Sequence, residues 1–171
     1  MEWGKKQMKK GLTWEQVVTL LIEKSCEVVQ NTCQTLKNQL DADEQSKLPK
    51  VDEELFYFFV FAIDYWWQKD HYYTQEQKSI FEKLFSTHLD ILCGDDDKGR
   101  AMWDTLQERF IAYGQIVNEQ SSDSAKLVGF GMKLSEYCEI HNAFLPLIVP
   151  DLFMTALELV SMFKDDKRKS K

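Results

Sequence analysis

Asp64 and His71 stand seven residues apart, two turns of a helix, and share one edge with Tyr57 and Gln68. A carboxyl group that orients an imidazole is an arrangement used in general acid–base catalysis. If that edge is buried, Asp64 must be paired or protonated, because an isolated carboxylate in a core costs too much. Arg109, one of only three arginines in the chain, is the expected partner. The same edge would serve equally as a strip of water access on an otherwise apolar helix.

Metal chemistry has its own candidates. Cys138 and His141 are spaced i, i+3 on one predicted inner stripe, His88 lies on another, and Cys26 and Cys33 share a third. Thiolate and imidazole on facing helices could hold zinc or iron. None of these spacings matches an established metal motif, and the Glu-x-x-His pattern of di-iron bundles does not occur. Free cysteines commonly act as small core residues. No cofactor is therefore expected and no catalytic or metal set is assigned. Asp64 and His71 stand as the catalytic candidates, and His88, Cys138 and His141 as the metal candidates. A nucleophile elbow and a phosphate-binding loop are both missing, and Gly129-Phe130-Gly131 is a lone G-x-G inside a helical pattern.

These side chains have to be positioned by helices, and one stretch dominates the rest. From Leu55 to Trp67 the sequence LFYFFVFAIDYWW holds a single charged residue, Asp64. Its length and the preceding acids Asp52, Glu53 and Glu54 predict a helix over Glu54–Tyr73. A helix apolar all round has to be wrapped all round. The remaining chain supplies amphipathic candidates for that wrapping. Thr13-Trp14-Glu15-Gln16 and Thr74-Gln75-Glu76-Gln77 both have the capping-box form, and each precedes a 3–4 spaced apolar stripe. Gly94 should stop the helix after the second box, and Asp95-Asp96-Asp97 should start the next. A further helix is expected through Leu127, Gly131, Leu134, Cys138, His141 and Leu145, with Gly131 on the buried side marking a close neighbour. Asp41–Lys50 reads as a loop, and a last helix is expected to start at Pro150 after a break at Pro146.

The expected fold is all-α, a single-domain bundle of five to six mostly antiparallel helices around the central aromatic-rich helix. One domain should cover residues 1–171, with a basic tail at 1–11 and a charged tail at 165–171 expected to be flexible. The low Gly and Pro content, seven and three residues, leaves little material for the turns of a β-sandwich.

The net charge is −7, and −6 of it falls in residues 51–100. That distribution disfavours nucleic acid and favours a basic protein partner. Four scattered cysteines and a charged N-terminal stretch without a following apolar run predict a cytoplasmic protein. The segment Phe144–Phe163 is apolar enough to suggest a membrane span, but its two prolines, Asp151 and Glu158 argue against one. Together these features predict a non-enzymatic protein–protein interaction module, an adaptor, chaperone or inhibitor of a basic partner. The alternatives are a bundle that binds a small apolar ligand or metal, and an enzyme using an Asp/His/Cys site. Two segments apolar on nearly every side, the central stretch and residues 144–163, exceed what one small bundle usually hides, so a homodimer is expected.

Overall fold

Thr13, Asp41, Thr74, Asp95 and Ser122 each stand just before a helix in extended backbone, and each side chain accepts a hydrogen bond from a free first-turn N–H. At Thr13 and Thr74 the glutamine three residues on bonds back to the cap N–H, closing the capping boxes that the sequence announces. The computed structural model describes residues 12–71 and 74–163, with side chains for all of these except 70, 71, 92, 93 and 96. Both terminal tails and the His71 side chain thus lie outside the described residues.

Seven helices follow in order among the described residues: α1 Trp14–Lys37, α2 Ala42–Gln45, α3 Leu48–His71, α4 Gln75–Cys93, α5 Asp96–Glu119, α6 Asp123–Cys138 and α7 Phe144–Ser161. The described chain contains no strand, and the architecture is an all-α bundle. α3 is the axis. α1, α5, α6 and α7 all pack against it, while α4 packs mainly on α5 and α1. Every residue from Glu54 to Asp64 is buried, on all sides of the helix. Phe58, Phe59, Val60, Ala62 and Ile63 have no exposed surface at all. Burying each large side chain of this kind is worth about 1.5–3 kcal/mol. Specific polar contacts fix the wrapping. The Trp66 indole N–H donates to the Phe153 carbonyl at 2.9 Å, tying α3 to α7, and the Trp14 indole donates to the Gln77 carbonyl at 2.9 Å, tying α1 to α4.

Three boundaries differ from expectation. The stretch 41–50 is not a loop: Asp41 caps the one-turn α2, and α3 already begins at Leu48, with Pro49 in its first turn where no N–H is needed. α6 stops at Cys138, because Glu139 adopts a left-handed conformation with φ 56° and its N–H turns back to the Ser135 and Glu136 carbonyls. α7 begins at Phe144 rather than Pro150. Pro146 falls in its first turn, where the missing N–H has no intrahelical acceptor in any case, and Pro150 is accommodated inside.

The close neighbour announced by Gly131 is α7. A Cβ added at Gly131 would sit 2.9 Å from both Cα and Cβ of Pro146. The two helices therefore touch backbone to ring.

Candidate functional site

α3 and α4 both pack on α1 and α5 and leave a gap along part of their length, and that gap is the feature of most chemical interest. It is a half-open groove of about 700 Å³, within the range of ligand sites in bundles. α3 contributes Phe61, Asp64 and Tyr65, α4 contributes Lys78 and Phe81, and α5 contributes Trp103, Phe110 and Gly114. The apolar side chains come from the same stripes that bury each helix, so the floor is continuous with the core. Phe61 packs edge-on to Phe110 with ring centroids 5.6 Å apart. Gly114 lines the groove, and a Cβ built there would meet nothing within 4 Å.

Asp64 is the polar group of that floor. It is 8% exposed and accepts a hydrogen bond from Gln68 Nε2 at 2.5 Å. The edge shared by Asp64 and Gln68 is therefore real, whereas Tyr57, on the same edge, donates to Glu53 instead. The groove's rim carries Lys69, Lys78, Glu82 and Lys126. Lys69 lies over the rings of Trp66 and Tyr65, 4.9 and 5.6 Å from their centroids, and Lys126 pairs with Asp123 at 3.3 Å.

Arg109 is not the partner of Asp64. It forms a bidentate pair with Glu54, Nε to Oε2 at 2.8 Å and Nη2 to Oε1 at 2.7 Å. Glu54, which the sequence suggests only as one of three helix-start acids, is 4% exposed. The guanidinium also stacks on Tyr137 at 3.7 Å. Beside it Tyr113 is fully buried, and its hydroxyl has no hydrogen-bond partner. This network joins α3, α5 and α6 and holds the wall of the groove that Phe110 and Gly114 form.

The metal candidates do not converge. His88 on α4 is half-buried near Glu23. Cys138 lies in the core near Glu54 and Cys33. His141 is exposed beyond the end of α6, in a shallow depression with Glu136 and Asn142, because the chain leaves the helix at Glu139. Among the described residues no group of three or more His, Cys, Asp or Glu could hold a metal. Burial pushes the Cys138 thiol up to about 12, with Glu54 adding to the shift, and burial with Asp52 does the same to Cys33. At neutral pH both are thiols, which are poor ligands and poor nucleophiles.

His88 carries a pH prediction. Burial lowers its pKa below the ordinary 6.5, against a smaller opposing effect of Glu23. The unfolded chain then binds more protons over the interval between the two values, so this contribution is present above pH 6.5 and is lost as pH falls through the folded value. His88→Gln is expected to flatten the decline of the melting temperature between about pH 7 and pH 5. Parallel declines in the two proteins would show that His88 carries none of it.

Comparison of the chain with protein-family models, with curated proteins and with solved structures finds no significant match.

Proposed function

We propose that the protein is a non-enzymatic binding protein whose site is the groove between α3, α4 and α5. One observation carries this reading: an aromatic-floored space of about 700 Å³ that opens to solvent and is bordered by a glycine in the middle of a helix. Gly114 forgoes about 1 kcal/mol of helix stability relative to alanine, although a side chain would fit. Packing does not require that glycine, and it borders the groove. Among the described residues the groove offers one buried carboxyl group, Asp64, and Arg109 is committed to Glu54, which supports binding more than catalysis.

The test is an NMR titration with 2-phenylethanol, a neutral aromatic probe. Shifts are expected at the Trp103 indole N–H and at the amides of Phe61, Gly114 and Val117. Gly114→Leu should abolish them while leaving the protein folded, because leucine favours the helix and its side chain enters the groove. A spectrum unmoved at millimolar probe would remove the reading.

A protein-interaction module, with self-association included, is favoured by a different observation. α6 and α7 pack side by side and leave Val128, Met132, Leu147 and Met154 at least half exposed. The inner stripe of α7, including Phe153 and Val160, is buried within the chain. By length and composition α7 could cross a membrane. We read it instead as a core helix with one apolar face left outward, given Pro146, Pro150, Asp151 and Glu158. An acidic surface and protonated thiols fit a cytoplasmic setting. Sedimentation at micromolar concentration should show a dimer that Leu147→Glu with Met154→Glu disperses. A concentration-independent monomer would sink this second reading.

A further inference from the structure

Resting on the protein-interaction reading above rather than on the groove, we infer that the outward face of α7 takes a basic amphipathic helix of a partner protein. The face is a narrow stripe. At about 100° per residue, Phe144, Leu147, Asp151, Met154 and Glu158 fall within about 80° of the helix circumference. All five are exposed, Leu147 at 68% and Met154 at 50%. The stripe continues onto α6. Gly131 packs against Pro146, and the residues that follow these two, Met132 and Leu147, both stand out into solvent.

The charges choose the sign of the partner. α7 contains no lysine or arginine, and neither Asp151 nor Glu158 forms an ion pair among the described residues. On α6, by contrast, Lys126 pairs with Asp123 at 3.3 Å and Lys133 with Glu136 at 3.0 Å. The face thus combines unpartnered apolar side chains with two carboxylates that no cation of this chain answers.

The spacing chooses the shape. Leu147 and Met154 are seven residues apart, and so are Asp151 and Glu158. That is the repeat with which one helix meets another along a seam, apolar residues on the seam and opposite charges beside it. A basic amphipathic helix answers both sets. A second copy of this chain would cover the apolar residues but set acids opposite acids, because a two-fold pairing turns the same stripe on itself. Self-association through this face is therefore the weaker contact, and the basic helix displaces it. A bilayer would cover the apolar residues too, but would take both carboxylates out of water. Exposed carboxylates add little raw affinity; they set preference and approach, which the net charge of −7 reinforces.

The experiment uses two fluorescein-labelled synthetic helices of about five turns, identical in their leucine seam. One carries lysine at the flanking positions and the other glutamate. Each is titrated into the full chain and followed by fluorescence anisotropy. The basic helix is expected to bind about tenfold more tightly than the acidic one at low salt, and the margin should shrink at high salt. Asp151→Lys with Glu158→Lys should reverse the preference. Glu23→Lys with Asp104→Lys, the same change of net charge at exposed sites on α1 and α5, should keep it. Leu147→Ser with Met154→Ser should weaken both helices about tenfold or more. Equal affinities of the two helices overturn the inference. So does a margin lost equally in both lysine pairs, which would assign it to overall charge. Binding of the chain to phosphatidylcholine vesicles but to neither helix overturns it in favour of a bilayer. A dimer that neither helix binds or disperses overturns it and leaves the interaction reading standing, whereas a monomer that binds neither removes both.

Discussion

Arg109→Ala is expected to lower the unfolding free energy by about 3 kcal/mol or more, and Glu54→Ala by a similar amount. Each single change leaves the other charge in place without its bidentate partner, at a site where the Glu54 and Arg109 side chains are 5% and 16% exposed. Arg109→Ala also removes the plane stacked on Tyr137. The double change Glu54→Met with Arg109→Leu should recover most of the loss, because replacing both partners with apolar side chains avoids the desolvation of two ions. Tyr113→Phe is the control: it deletes a buried hydroxyl that makes no hydrogen bond, and stability should hold or rise slightly. Chemical denaturation of the four variants checks the set. A double variant as weak as either single one would show that the pair stabilises the fold rather than merely satisfying itself.

Gly131→Ala should cost about 1–3 kcal/mol even though alanine is the better helix former. The added methyl would arrive 2.9 Å from Pro146 Cα and from its ring carbon, and neither atom can move away by a change of rotamer. Relief requires α7 to shift, and α7 is held to α3 by the Trp66 bond to the Phe153 carbonyl. Gly114→Ala is the matched comparison. It lies in the same kind of helix but meets open space, and it should stabilise by up to about 1 kcal/mol. Urea midpoints moving in opposite directions for the two glycines are the expected outcome. The same sign for both would mean that the α6–α7 contact is soft.

Much of the architecture is legible in the sequence because it is written in local chemistry. Thr13-x-x-Gln16 and Thr74-x-x-Gln77 specify helix starts through bonds within four residues, and Gly94 ends α4 in the left-handed conformation that glycine adopts at low cost. Gly131 is readable as a close approach, though not which helix approaches. The uniform apolarity of residues 55–67 correctly marks the axis. The left-handed Glu139 was not legible, since no glycine marks it, and so His141 was placed on a stripe it never joins.

The site was less accessible to sequence reasoning, for a physical reason. A groove arises where two helices diverge, as α3 and α4 do away from the Phe56–Phe85 contact, and periodicity reports which face of a helix is apolar, not what the face meets. Asp64 could be singled out as one acid in an apolar run. Its neighbourhood could not, because Trp103, Phe110 and Phe81 look like any other core stripe. Glu54 was misread as a helix-start acid because α3 begins earlier, at Leu48, which moves Glu54 into the interior and gives it Arg109.

The enclosure of α3 has a consequence for how the chain is made. Its cover arrives from both sides in sequence: α1 precedes it, while α5, α6 and α7 follow. When α3 leaves the ribosome, α7 is still about seventy residues from being translated, a delay of several seconds or more at roughly 5–20 residues per second. Until α5 is made, Phe58, Phe59, Phe61 and Trp67 have of that cover only α1 to lie against, and the face that Trp66 and Phe153 close waits for α7. The nascent chain thus passes through a stage more adhesive than the finished protein, and slowing translation after His71 lengthens that stage without altering a single native contact.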